Sequence, residues 1–189
     1  MRYAALLMVG VLVVPSGACE DGGTGPDGGE AVIEGRIEST TTLARSGPAA
    51  TSAQTAQAST VEVVSVASGG SATVLAEATA DASGDFRVEG VPAGRTDLIV
   101  VARNESGAEV GRVIAHGETE AQAVTVVAPI NAETSVEGGA FVDLRADGRA
   151  EVAANSGGLA AFVRMSRAEA EAVASSESAV EGVAEGYAE

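Results

Sequence analysis

Tryptophan and lysine are both absent from the 189 residues, and cysteine and histidine occur once each, as Cys19 and His116. With one cysteine no intramolecular disulfide can form, so burial of apolar side chains has to hold the fold together. One histidine and one cysteine supply no His/Cys set of the kind that holds zinc, and no G-x-S-x-G elbow accompanies His116. His116 is therefore expected at the rim of a strand, and no catalytic, cofactor-binding or metal-binding residue is assigned. Aromatics are scarce, with three Phe and two Tyr. That scarcity counts against a glycan site, which needs exposed ring faces. Acidic residues number 27 against 11 basic ones, all Arg, for a formal net charge of −16. Such a chain is a poor partner for nucleic acid or anionic headgroups.

What is present at the start is an export pattern. Arg2 supplies a positive residue, Tyr3 to Val14 an apolar run of twelve, and Pro15-Ser16-Gly17-Ala18 a small-residue stretch leading to Cys19. A membrane span needs about twenty apolar residues, so the run is too short to cross a bilayer. The arrangement resembles a bacterial lipoprotein signal, with residues 1–18 as the signal peptide and Cys19 as the lipid-attachment residue. The resemblance implies cleavage before Cys19, whose sulfur carries a diacylglycerol and whose new amine is acylated. Two or three chains would anchor the protein stably, where one would not. The pattern departs from that family at Ser16, where a leucine-like residue is usual. Ser16-Gly17-Ala18 also suits ordinary signal peptidase, which would release a secreted protein with an unmodified Cys19 thiol. Lipidation is the expectation here, because it removes the liability of a lone extracellular thiol.

Residues 19–30 are rich in Gly and Asp and read as a flexible tether. A formal G-x-G-x-x-G at Gly23, Gly25 and Gly28 lacks the preceding strand and following helix of a dinucleotide site, and Pro26 sits inside it.

From Ala31 the texture changes to short β-branched runs separated by turn residues. Ala31 to Glu38, Thr60 to Ala67, Ala72 to Ala80, Asp85 to Glu89, Arg95 to Arg103, Glu109 to His116 and Ala121 to Ala128 are strand candidates. Seven strands at this spacing predict an antiparallel sandwich over 31–128. Leu98-Ile99-Val100-Val101 is apolar on both faces, as in a central strand or one covered by another element. Residues 39–59, rich in Thr, Ser and Ala, exceed the usual loop of about 12–15 residues and read as a disordered insertion. Asn104-Glu105-Ser106 is a formal glycosylation sequon that reads first as a hairpin turn.

Asp81-Ala82-Ser83-Gly84-Asp85-Phe86, then Pro92-Ala93-Gly94, then Leu98-Ile99-Val100-Val101-Ala102 resemble the carboxypeptidase regulatory-like, or transthyretin-like, domain, with Gly35-Arg36-Ile37 on its first strand. The resemblance implies a mainly β, prealbumin-like sandwich in which Phe86 fills the core and Gly94 permits a tight reversal. Arg95-Thr96-Asp97 departs from the family, which carries an aromatic there. Asp81, Ser83 and Asp85 also alternate as calcium ligands do. Position twelve counted from Asp81 is Pro92, however, where a calcium loop of the EF-hand type needs a bidentate Glu. Turn chemistry is the expected role.

Past Ala128 the period becomes helical, and residues 129–189 are expected as a C-terminal α-helical extension. Thr134 and Glu137 suggest a capping box for a helix from about Ser135 to Ala146, with Val136, Ala140, Phe141 and Leu144 on one face. Gly138-Gly139 weakens it. Ser166 and Glu169 repeat the capping pattern, Leu159 to Met165 could be helix or strand, and Val180, Val183, Ala184 and Tyr187 form a further stripe. These helices are expected to cover a face or edge of the sandwich, with a partner-docking tail as the alternative. The last stripe runs nearly to Glu189, as it would in a piece of a longer chain.

Together these features predict a non-enzymatic, lipid-anchored protein of the bacterial cell envelope, periplasmic or surface-facing, that acts as a structural or protein-interaction module. The expected partners are a membrane, through the N-terminal lipid, and an envelope protein. A carbohydrate-binding module is the alternative.

Overall fold

The computed structural model describes residues 28–38, 58–149, 157–159, 170, 172–173 and 176–188. Residues 1–18, Cys19 with the tether up to residue 27, and residues 39–57 of the insertion lie outside them, as do Ser166 and Glu169.

The described chain is mainly β and forms two sheets, as a sandwich requires. Its strands are β1 (Glu30–Arg36), β2 (Ala58–Val66), β3 (Ala72–Thr79), β4 (Asp85–Pro92), β5 (Leu98–Asn104), β6 (Glu109–Ile114) and β7 (Val124–Val126). One sheet has the order β4-β1-β7, the other β3-β2-β5-β6. Two boundaries move inward on the expected tether and insertion. Glu30 already pairs with Pro92, and Ala58 with Asn104, so both belong to strands.

The expected all-antiparallel arrangement is corrected at one pair. β1 and β7 run parallel, with Val32 opposite Val124 and Glu34 opposite Val126, and Ile37 bridges Ile130 in the same sense. The cause is the route of the chain. β6 ends at the same end of the sandwich where β1 begins, and residues 115–123 cross directly to the other sheet. β7 therefore sets off in the direction of β1. Alternation of apolar residues marks a strand but carries no sign of its direction.

Two apolar cores lie on opposite faces of the four-stranded sheet. Between the sheets, Ile33, Phe86, Val88 and Val91 meet Val61, Val63, Leu98 and Val100. On the far face, Val64, Val66, Ile99, Val101 and Ile114 meet Val136, Phe141 and Leu144 of α1 (Ala132–Ala146), together with Leu159 and with Ala184 of α2 (Glu177–Ala188). This double coverage explains the unbroken apolar run of β5. Leu98 and Val100 face one core and Ile99 and Val101 the other, as in strands buried on both faces.

The helix α1 starts earlier than its expected cap. Asn131 is the N-cap: its Oδ1 accepts the Thr134 N–H at 3.1 Å, and Thr134 Oγ1 accepts the Asn131 N–H at 2.9 Å. Thr134 is thus the third helical residue and closes the capping box with Asn131, and Glu137 is not part of it. The bridge from Ile130 to Ile37 holds the chain extended up to Asn131, whose φ is −147°. Asn is at least as good a cap as Thr, so the helix begins there.

The glycine pair that weakens α1 is where it lies close against β6 and α2. A Cβ on Gly138 would lie 2.8 Å from Arg112 Cγ on β6, and one on Gly139 would lie 2.6 Å from Val180 Cγ1 on α2. Each Gly costs about 1 kcal/mol against Ala in a helix interior. That cost is offset by helix packing that a methyl group would prevent. The stripe on α2 turns inward as expected: Ala184 is buried, and Val183 and Tyr187 pack against the same core. No described helix is long and apolar enough to cross a membrane.

Candidate functional site

The lipid-attachment residue expected from sequence, Cys19, lies outside the described residues. The chemistry of the described part rests on four polar constellations.

The first is the turn between β3 and β4. Asp81 Oδ1 accepts the Ser83 N–H at 2.8 Å and the Asp85 N–H at 3.0 Å. Gly84 has φ +82°, and a Cβ there would meet Ile37 O at 2.5 Å, so glycine is required on both counts. Asp85 pairs with Arg36 at 3.0 Å. These carboxylates hold backbone donors and a guanidinium, as the turn reading expects. Among the described residues there is no group of three or more His, Cys, Asp or Glu that could hold a metal ion. The Asn104 turn is likewise a hairpin, with Asn104 Oδ1 accepting from the N–H groups of Ser106 and Ala108 at 3.0 Å each.

The second occupies the segment Arg95–Asp97 between β4 and β5. Arg95 grips Asp97 through two nitrogens, at 2.9 and 2.7 Å, and also donates to Ser65 Oγ. Ser65 Oγ donates to Asp97 Oδ2 at 2.6 Å, and Thr119 Oγ1 joins by accepting the Arg95 N–H at 3.0 Å and donating to Pro92 O at 2.9 Å. Partial burial of Asp97 works to raise its pKa. Hydrogen bonds from Arg95 and Ser65, with the Arg95 charge, outweigh that and hold the carboxyl below its usual range. This network closes one end of the sandwich. Sequence reasoning missed it; the sole local sign is the Arg-x-Asp spacing, and Ser65 and Thr119 come from far along the chain.

The third is His116, which follows β6 as expected. Its Nε2 lies 2.8 Å from Glu137 Oε1 on α1, and the Glu137 side chain is only 7 % exposed. Oε1 meets no hydrogen-bond geometry, so the contact is one of proximity. Ser135, the hydroxyl nearest Glu137 in sequence, is committed to backbone groups: it donates to Asn131 O and accepts the Arg112 N–H. These residues brace α1 against β6.

The fourth is the outer face of the three-stranded sheet. Arg87 pairs with Glu34 and Glu89, and Arg36 with Asp85, in a cross-strand ladder beside Val124 and Val126, which is 74 % exposed. A groove of about 760 Å³ crosses the upper part of this face, lined by Arg36, Thr79, Asp81, Asp85 and Val126 among others. Its lining carries three carboxylates, Glu34, Asp81 and Asp85, and two guanidiniums, Arg36 and Arg87; Asp85 and Glu34 pair with the guanidiniums and Asp81 holds backbone N–H groups. Both described phenylalanines, Phe86 and Phe141, are buried.

No protein-family model matches the chain, and no curated protein matches it. Among solved structures the chain is similar to a 9R-lipoxygenase from Cyanothece PCC8801, at 12% identity and a TM-score of 0.28, over 57% of this chain and 17% of that one. A likeness at that level carries no argument about fold or activity.

Proposed function

We propose that this chain is a lipid-anchored, non-enzymatic protein of the bacterial cell envelope that spaces or docks other proteins on a carboxypeptidase regulatory-like, prealbumin-like sandwich. The observation that carries the reading is Cys19, placed directly after a twelve-residue apolar run and four small residues. Support for the domain comes from the Asp81–Asp85 turn leading into buried Phe86, and from two sheets of three and four strands. The docking role draws on a surface whose described arginines largely face carboxylates, and on a groove lined by such pairs. A glycan site has no exposed aromatic ring in its favour among the described residues, since Phe86 and Phe141 are buried and Tyr187 is half-buried.

Intact mass of the mature protein from a bacterial host tests the anchor, alongside a Cys19→Ala variant. The expected product begins at Cys19 and carries diacylglycerol and acyl mass that the variant lacks. A product with a free Cys19 thiol would overturn the anchor and leave a secreted sandwich.

A further inference from the structure

Three of the four sheet edges are guarded against pairing with another strand. α1 lies along β6, where Ser135 Oγ accepts the Arg112 N–H. β3 packs against β4 of the other sheet. β4 carries Asp85, Arg87 and Glu89 on its outer face, bends at Gly90 with φ +74°, and ends on Pro92, which has no N–H to offer. Charge, irregular backbone, proline and cover are the devices that keep edges apart. β7 is the remaining edge and lacks them: Val124-Thr125-Val126 carries no charge, and among the described residues no strand pairs with its outer side.

The ladder to β1 fixes which polar groups of β7 are left over. The Val32 N–H donates to Ala123 O at 3.0 Å and the Val127 N–H to Glu34 O at 2.9 Å, so residues 123, 125 and 127 turn their bonding groups toward β1. Alternate residues of a strand turn the other way, which leaves the N–H and C=O of Val124 and Val126 facing outward along the edge. Their side chains, 47 % and 74 % exposed, stand beside Val32 on the outer face. We propose that β7 is the seam of a homodimer, in which two copies pair antiparallel about a two-fold axis through Thr125 and join their three-stranded sheets into one of six strands. The segment is its own complement. Reversed about Thr125 it again reads Val-Thr-Val, so Val124 meets Val126 of the second copy in a hydrogen-bonded pair, with one β-branched side chain against another. A contact of this isologous kind closes on itself and leaves no further edge to grow from.

The net charge of −16 does not forbid the pairing, because β7 itself carries none of it. On the neighbouring strand Glu34 is paired with Arg87. Across the seam, Glu34 and its counterpart would lie three strand spacings apart, about 14 Å, beyond the screening length of about 8 Å at physiological salt. A foreign strand selected by charge needs an uncompensated ion at the edge, which β7 does not offer, whereas a second copy supplies the matching pattern. Three paired residues a side fall short of the roughly 1,000 Å² of a stable interface, so the dimer is weak and exchanges with monomer.

The seam does not depend on a lipid at Cys19, and the test uses the full-length Cys19→Ala protein, in which any introduced thiol is unique. Val124→Cys and Val126→Cys variants of it are mildly oxidised, separately and mixed. Opposed positions 124 and 126 would have Cα atoms about 5.5 Å apart, within disulfide reach, whereas like positions lie on diagonals of about 7–8 Å. The mixture should form disulfide-linked dimer roughly ten-fold faster than either variant alone. Sedimentation of Cys19→Ala should show a dimer fraction that grows with concentration up to about 1 mM. Val126→Lys, a charge at an exposed edge position, should remove that fraction and leave the circular dichroism unchanged. Trapping that is absent, or equal in all three cases, overturns the seam. So does a Cys19→Ala protein that stays monomeric, or a Val126→Lys protein that dimerises as before.

Discussion

Ser135 Oγ on α1 accepts the backbone N–H of Arg112 on β6 at 3.1 Å. β6 is an edge of the four-stranded sheet, and an edge donor left free is a template for unwanted strand pairing. The same hydroxyl donates to Asn131 O at 2.6 Å, so one side chain ties the start of α1 to the strand beneath it. Burial of Ser135 makes the bond consequential.

Ser135→Ala removes this tie and leaves the Arg112 N–H without its partner. The expected loss is about 1–3 kcal/mol, the cost of an unsatisfied buried donor. Urea unfolding with an unchanged m-value would show it. A variant as stable as the parent would mean that water replaces the hydroxyl at no cost.

Gly139→Ala and Gly182→Ala make an informative pair. Each lies within a helix, where Ala is favoured by about 1 kcal/mol over Gly. A Cβ at Gly182 meets nothing within 4 Å, whereas one at Gly139 meets Val180 Cγ1 at 2.6 Å. Gly182→Ala should raise the thermal midpoint and Gly139→Ala should lower it. Equal stabilisation by both would refute the close packing of α1 on α2.

Phe86 and Phe141 fill different cores, yet β5 contributes to both through Val100 and Val101. Phe86→Ala and Phe141→Ala should each cost about 3–5 kcal/mol. Because the sheet is shared, each variant should lose its β-sheet and helix signals in one transition. Separate melting of the helical signal after Phe141→Ala would show instead that the helices form an independent layer.

Asp97 sets a pH dependence. Its carboxyl is held below the ordinary range in the folded state, so folding favours the ionised form. The stabilisation is then complete above the unfolded value of about 3.9 and is lost as pH falls through the lower folded value. Asp97→Asn should cost about 1.5 kcal/mol at neutral pH, at the low end for a charged hydrogen bond because Arg95 is partly exposed. The gap between parent and variant should narrow below pH 4. Stability curves measured across that range that stay parallel would rule out the Arg95–Asp97 contribution.

Strand positions were legible because the alternation that marks a strand lies within the segment itself. Each candidate from Ala31 to Ala128 overlaps a strand, although β7 pairs over only Val124–Val126 and β5 starts at Leu98 rather than Arg95. The shortening has local causes: Gln122 takes φ +61° before β7, and Arg95 and Asp97 are drawn into their polar network before β5. The turns at Asp81 and Asn104 were legible for the same reason, since their side chains bond to backbone two and four residues ahead.

By itself the sequence determined where the described strands, turns and helix stripes fall, and that a single cysteine leaves no intramolecular disulfide. Those features depend on neighbours within a few residues, where periodicity and turn chemistry act. Only the tertiary structure decided that β7 runs parallel to β1, that a bridge to Ile37 keeps the chain extended through Ile130, and that Gly138-Gly139 is a contact instead of a flaw. It also decided that Arg95, Asp97, Ser65 and Thr119 close one end of the sandwich, and that His116 meets Glu137. Each of these joins residues about twenty or more positions apart or depends on which end of a sheet a chain crosses. Neither local period nor propensity carries that information.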